Sequence, residues 1–151
     1  MKIHKFTKKQ TVKTTLEKAW EFFSNPSNLS KITPTEMKFE ITSMVPPKIY
    51  PGLIITYKVS PLAFWRVGWV TEIKQAKENS YFIDEQRFGP YKFWYHIHIF
   101  RSVQDGVEME DIVYFGLPFG LIGNIFGSKF VKNQLNRIFE YREKQILQLF
   151  K

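Results

Sequence analysis

The stretch Lys92-Phe-Trp-Tyr-His96-Ile-His98-Ile-Phe100-Arg-Ser-Val-Gln-Asp105-Gly106-Val-Glu-Met109-Glu-Asp111-Ile-Val113-Tyr114 alternates in character with a period of two on either side of an Asp-Gly pair. Such alternation sends successive side chains to opposite faces of a strand. Asp-Gly suits a two-residue type I′ turn, so the stretch predicts an antiparallel hairpin turning at Asp105-Gly106. That turn sets Gln104 opposite Val107, Phe100 opposite Asp111, His98 opposite Val113 and His96 opposite Phe115. One face then carries Trp94, His96, His98, Phe100, Met109, Asp111, Val113 and Phe115. The other carries Tyr95, Ile97, Ile99, Arg101, Glu108, Glu110, Ile112 and Tyr114. Arg101 facing Glu110 marks the second set as the solvent side, so the first is expected to be enclosed.

Outward from this hairpin the same period recurs. Strands are expected at 2–12, 38–43, 53–60, 64–73, 81–88, 92–103 and 107–114. Pro51-Gly52, Lys77-Glu78-Asn79-Ser80 and Gly89-Pro90 supply turn chemistry between them, which implies a sequential antiparallel meander. An even register brings Phe82, Asp84 and Gln86 to the enclosed face, with Trp65, Val67, Trp69 and Thr71 as the next inward row. Between the first two strands the period becomes helical. Thr14 is a predicted N-cap with Glu17 completing a capping box, followed by Leu16, Ala19, Trp20 and Phe23 on one face. Asn25-Pro26 ends that helix, and 26–31 reads as a second helical piece capped by Ser24 or Asn25 and closed by Pro34.

The chain finishes in a long helix over 127–150. Its stripe is Val131, Leu135, Ile138, Arg142, Gln145/Ile146 and Leu149, widened by Phe130, Phe139 and Leu147. At ~1.5 Å per residue it reaches roughly 35 Å, long enough to cover a sheet face. The expected fold is therefore α+β: a curved antiparallel sheet of about seven strands on a long C-terminal helix, with two short helices after the first strand.

Composition bounds what such a fold can do. The 151 residues, with no compositional break, predict a single domain over 1–151. No cysteine is present, which excludes disulfides, a thiol nucleophile and thiolate-ligated metals. Aromatic residues make up 17% of the chain, more than a core this size requires, and so point to a cavity wall or an interface. The net charge of +8 comes from 17 dispersed Lys and only 5 Arg, which does not make a nucleic-acid footprint. Behind the basic N-terminus there is no apolar leader core, so the cytoplasm is the expected location. P-loop, dinucleotide, GxSxG and HExxH motifs are all missing.

Four segments together have a recognisable pattern. They are Asp84-Glu-Gln-Arg-Phe-Gly-Pro-Tyr-Lys-Phe-Trp94-Tyr-His96-Ile-His98-Ile-Phe100, Gly106-Val-Glu-Met109-Glu-Asp111-Ile-Val113-Tyr114, Pro118-Phe-Gly120-Leu-Ile-Gly123 and Ile138-Phe139-Glu-Tyr141-Arg142. The pattern resembles the bacterial SRPBCC proteins of the START-like, helix-grip superfamily, in the branch labelled cyclase/dehydrase or "cell division inhibitor" domain. This resemblance implies a seven-stranded sheet gripping the C-terminal helix around an apolar cavity. It also implies that lipids, sterols, polyketides or hormones are the class of ligand, with cyclisation or dehydration in a minority of members.

Within that frame Trp65, Trp69, Phe82, Asp84, Gln86, Trp94, Phe100, Met109, Val113, Phe115, Leu135, Phe139 and Arg142 are the expected ligand-binding residues. Buried polar groups need partners, at a cost of about 1–3 kcal/mol each when unpaired, so His96, His98 and Asp111 either satisfy one another or await a ligand. Three functions remain open. The first is binding of a small hydrophobic ligand; the second is a cyclase- or dehydratase-like reaction with His98 or His96 and Asp111 as acid and base. The third is dimerisation through Tyr95, Ile97, Ile99 and Ile112, the chain being a monomer or a homodimer. Two histidines with distant carboxylates are a poor zinc pattern, so no metal and no cofactor are assigned. Arg142, inside an apolar stripe, is expected to face Asp111, Asp84 or the acid group of a ligand. The glycine-broken segment 115–127 is expected to act as a hinge or lid, with transient contact to an anionic membrane.

Overall fold

The computed structural model describes residues 1–62, 65–118 and 127–151. Seven antiparallel strands form one curved sheet: β1 (Ile3–Val12), β2 (Glu40–Ile41), β3 (Ile54–Leu62), β4 (Trp65–Lys77), β5 (Tyr81–Phe88), β6 (Phe93–Val103) and β7 (Gly106–Gly116). Their spatial order is β1-β7-β6-β5-β4-β3-β2. After β1 come helix α1 (Leu16–Phe23) and two 3-10 segments, Pro26–Ile32 and Thr35–Met37. Helix α2 (Ser128–Leu149) closes the chain. Strands β2 to β7 form the expected meander. The first strand then returns to pair with the last, Ile3 against Gly116 through Val12 against Val107.

Register shifts between Val70 and Thr71, and between Ile73 and Gln75, interrupt the β4–β5 ladder. Such irregularities bend and twist a sheet, and here they help turn it around the inner layer. Two apolar clusters fill that layer. In one, α1 contributes Ala19 and Trp20 to a set with Phe82, Phe100, Met109 and Ile146; in the other, Val131, Leu135 and Phe139 of α2 meet Phe6, Val113 and Phe115. Trp20 meets the rings of Phe82 and Phe100 edge-on at 6.1 and 5.7 Å, which fixes α1 on the sheet.

Several sequence expectations are corrected in detail. The β6–β7 hairpin turns at Gln104-Asp105, with Val103 opposite Gly106, so each facing pair shifts by two residues from the Asp-Gly prediction. Gly106 is demanded by packing rather than by the turn. Its φ is +137°, and a Cβ there would collide with the carbonyl oxygen of Val12 on β1. A shift of two preserves parity, so the predicted faces survive, but His98 now lies opposite Asp111 and His96 opposite Val113. On the outer face Arg101 donates to both Glu108 (3.0 Å) and Glu110 (2.7 Å).

The first helix is capped by Thr15, not Thr14, its side chain accepting from the Lys18 N–H. Asn25 caps the next segment, accepting from the Ser27 N–H, and Thr33 adopts the extended backbone that Pro34 requires of its predecessor. Lys38 in the left-handed region (φ 47°) cuts the expected strand 38–43 to two ladder residues. In α2 the core face is Val131, Leu135, Phe139 and Ile146, with Arg142 among them, whereas Phe130, Leu147 and Leu149 are exposed. Phe64, expected to begin the fourth strand, and residues 119–126 of the predicted lid lie outside the described residues.

Candidate functional site

Between the sheet and α2 lies a pocket of about 210 Å³. The inner rows of the strands supply one wall: Ile55, Tyr57 and Val59 from β3, Trp69 and Thr71 from β4, and Phe82 and Asp84 from β5. Trp94, His96 and His98 follow from β6. Helix α2 contributes Leu135, Phe139 and Arg142, and the 3-10 segments add Leu29, Ile32 and Met37. Alternation places these side chains here, since a strand on a covered sheet presents every second residue to the interior.

Its aromatic part is a connected set of rings. Tyr57 stacks on Trp69 at 5.8 Å, and Trp69 meets Trp94 edge-on at 5.3 Å. The Trp69 Nε1–H donates to Thr71 Oγ1 (3.1 Å), which also lies 3.1 Å from the Tyr57 hydroxyl, so these polar atoms are satisfied within the wall. Burial pushes the Tyr57 hydroxyl far above the ordinary tyrosine range and that of Tyr91 up to about 12; both are neutral donors at physiological pH.

At one end of the pocket, five ionisable groups meet. His98 lies between two carboxylates, its Nε2 hydrogen-bonded to Asp84 Oδ2 (2.7 Å) and its Nδ1 2.9 Å from Asp111 Oδ1. A carboxylate against each ring nitrogen favours the doubly protonated ring. Burial lowers its affinity for the proton, but the bonds to Asp111 and Asp84 outweigh that and raise its pKa above 6.5. His96 stacks against His98 with ring centres 3.7 Å apart and reaches Asp111 Oδ1 through Nε2 (2.8 Å). Its Nδ1 stands 3.7 Å from Asp84 Oδ2, too far for a hydrogen bond. Burial, then repulsion from His98, lowers the His96 pKa and keeps this ring neutral. Burial alone would raise both carboxyls, yet the histidine bonds dominate and hold Asp84 and Asp111 below the usual carboxylate range. Phe82 stacks on His98 at 4.0 Å, closing one side of the cluster.

Arg142 enters from α2, with its guanidinium 4.7 Å from the centre of the Phe139 ring and Nη1 3.8 Å from Asp111 Oδ1. Its Nε is buried and has no hydrogen-bond partner among the described residues. Burial lowers its pKa while Asp111 and Asp84 oppose that shift. Asp84, His96 and His98 also present ligand atoms within 4.8 Å of one another, a spacing that suits a metal ion. To ligate, His98 would have to give up one of the two protons it shares with the carboxylates.

The residues expected from sequence are distributed as follows. Trp69, Phe82, Asp84, Trp94, Leu135, Phe139, Arg142, His96 and His98 line the pocket. Asp111 lies behind the histidines and, with Phe100 and Met109, borders a much smaller adjoining void. Val113 and Phe115 are fully buried in the second cluster. Gln86 instead clamps the β5–β6 connection, donating to the Tyr91 carbonyl (2.7 Å) and accepting from the Tyr91 N–H (3.3 Å). Trp65 is 59% exposed and outside the pocket lining. Tyr57 was missed although it sits at the inward phase of the strand 53–60, between Ile55 and Val59; alternation alone identifies it. The 3-10 residues gave no comparable signal.

The fold is the helix-grip fold, as the sequence resemblance implied. Solved structures share this fold. It superposes on TTHA0849 from Thermus thermophilus with a TM-score of 0.70 at 10% identity, over 98% of this chain and 100% of that one. With Ara h 8.0201 the TM-score is 0.65 at 15% identity, over 97% and 99% of the two chains. With StfQ, a di-domain ARO/CYC from the steffimycin biosynthetic pathway, it is 0.74 at 7% identity; the chain spans half of that protein. No known family's sequence model matches the chain, and no curated protein matches it in sequence.

Proposed function

We propose that this protein binds a small, mostly apolar molecule in the pocket between sheet and α2. The observation that carries the reading is a pocket of about 210 Å³ walled by Tyr57, Trp69, Phe82 and Trp94 with an ionisable cluster at one end. Aromatic walls supply non-directional burial, and the polar end supplies orientation. The hydroxyls of Tyr57 and Thr71 and the indole N–H of Trp69 bond one another, so an apolar ligand strands none of these three. Native mass spectrometry of protein purified without detergent tests this. A co-purifying small molecule, released on denaturation, is the expected result; a repeatedly bare protein that takes up no hydrophobic probe refutes the reading.

A second reading has one specific support. His96 faces the pocket as a neutral ring held by Asp111, the arrangement of a general base, whereas His98 has both nitrogens engaged. Under a cyclase- or dehydratase-like reaction the acid–base role therefore falls to His96 and not His98. Co-purified masses differing by one water, absent from a His96→Gln variant, would favour this alternative.

A further inference from the structure

Arginine is rarely buried without acceptors, because its desolvation is recovered only through charge-assisted hydrogen bonds. In this protein Arg142 is 12% exposed and lines the pocket. Among the described residues no acceptor lies within hydrogen-bond reach of it: the nearest carboxylate oxygen, Asp111 Oδ1, is 3.8 Å away, and Nε is buried and unpartnered. The same Asp111 oxygen is already taken by His96 at 2.8 Å and His98 at 2.9 Å. The other nearby cation, Lys8 of β1, faces Asp111 across the ladder but pairs with Glu143 of α2 (3.5 Å). Asp84 and Asp111 each already have a histidine against them, so neither carboxylate is left to hold the guanidinium in a hydrogen bond. One charged fork is left facing an apolar pocket.

We propose that Arg142 receives the carboxylate of the bound molecule, making the ligand an apolar acid that carries one negative charge. The inference rests on the ligand-binding reading above and names its chemical class. A guanidinium matches a carboxylate in two-pronged geometry, and folding has already stripped it of water, so a carboxylate gains more there than a neutral group does. A dianionic phosphate would need a second free cation, and the described lining holds none. His96, neutral and beside the cluster, adds an N–H already committed to Asp111 rather than a competing charge.

The test compares matched probes on the full-length chain at pH 8 by calorimetry: decanoic acid with decan-1-ol, and 2-naphthoic acid with its methyl ester. The acid of the better-binding body is expected to bind at least about tenfold tighter than its neutral partner. In Arg142→Met the two should bind within about twofold of each other, and Arg142→Lys should keep part of the preference because it keeps charge but not the fork. Should Arg142→Met fail to fold by circular dichroism, the wild-type ratio and its reduction in Arg142→Lys decide the matter. Equal binding of acid and neutral partner to the wild type, or a preference that survives in Arg142→Met, overturns the proposal while leaving the pocket reading intact. Failure of all four probes to bind overturns both.

Discussion

His98 is the residue on which the polar end of the pocket depends. It lies 2.7 Å from Asp84 and 2.9 Å from Asp111, and its loss would leave two buried carboxylates short of a donor. Breaking such an arrangement typically costs about 3–5 kcal/mol, and that is the loss of urea stability expected for His98→Ala at neutral pH. Stability should also depend on pH in a definite direction. The folded chain holds the His98 proton more tightly than the unfolded chain, so this contribution is complete below about 6.5 and is lost as pH rises through the raised pKa. His96 acts oppositely: its lowered pKa makes the fold lose stability as pH falls below 6.5. The two together give a maximum near neutrality, and the alkaline fall should vanish in His98→Ala. Urea titrations from pH 5 to pH 9 check both slopes. The histidines were legible in the sequence as inward-facing, because that depends only on local alternation. Asp111 was legible as a partner on the same face, but its place directly across from His98 was not, because that depends on a register fixed from outside the hairpin.

That outside influence belongs to the scale of elements. The Asp-Gly pair suggested its own turn, but the glycine serves β1, whose Val12 carbonyl passes where a Cβ would be. Gly106→Ala is therefore expected to cost about 1–3 kcal/mol, more than its hairpin position alone would suggest. Thermal unfolding measures it; a variant as stable as the wild type would mean that the β1–β7 ladder does not hold the turn in place. Nothing in the local sequence announced that ladder, since its two strands sit at opposite ends of the strand series. Helix α2, by contrast, was legible throughout from its 3.6-residue stripe. Phe130, Leu147 and Leu149 were misjudged, because periodicity gives a direction but neither the width of the surface it meets nor where that surface ends.

At the scale of the whole molecule the pocket lies under two covering layers that meet only in part, α1 sharing a cluster with Ile146 of α2. The 3-10 segments and α1 pack on one side, α2 on the other, and the ring set of Tyr57, Trp69 and Trp94 remains between them. A heavy aromatic composition signalled such a space, although no sequence pattern marked the 3-10 segments as part of its rim. Filling this space should be cheap. Val59→Phe, on the β3 wall, is expected to change stability by less than about 1 kcal/mol, where overpacking a filled core costs about 1–3. The same variant should lose any co-purifying molecule in native mass spectrometry. Large destabilisation with the ligand retained would place Val59 in ordinary core.

The pairing of β1 with β7 also governs how the chain acquires its structure. During synthesis Ile3–Val12 emerges long before Gly106–Gly116, and must wait for that strand partner while the meander is made. Contacts so distant in sequence close late and slow the approach to the native state. For that interval the segment is an unattached, β-prone edge. Its lysines at 2, 5, 8, 9 and 13 supply mutual repulsion, which discourages nascent chains from joining one another there.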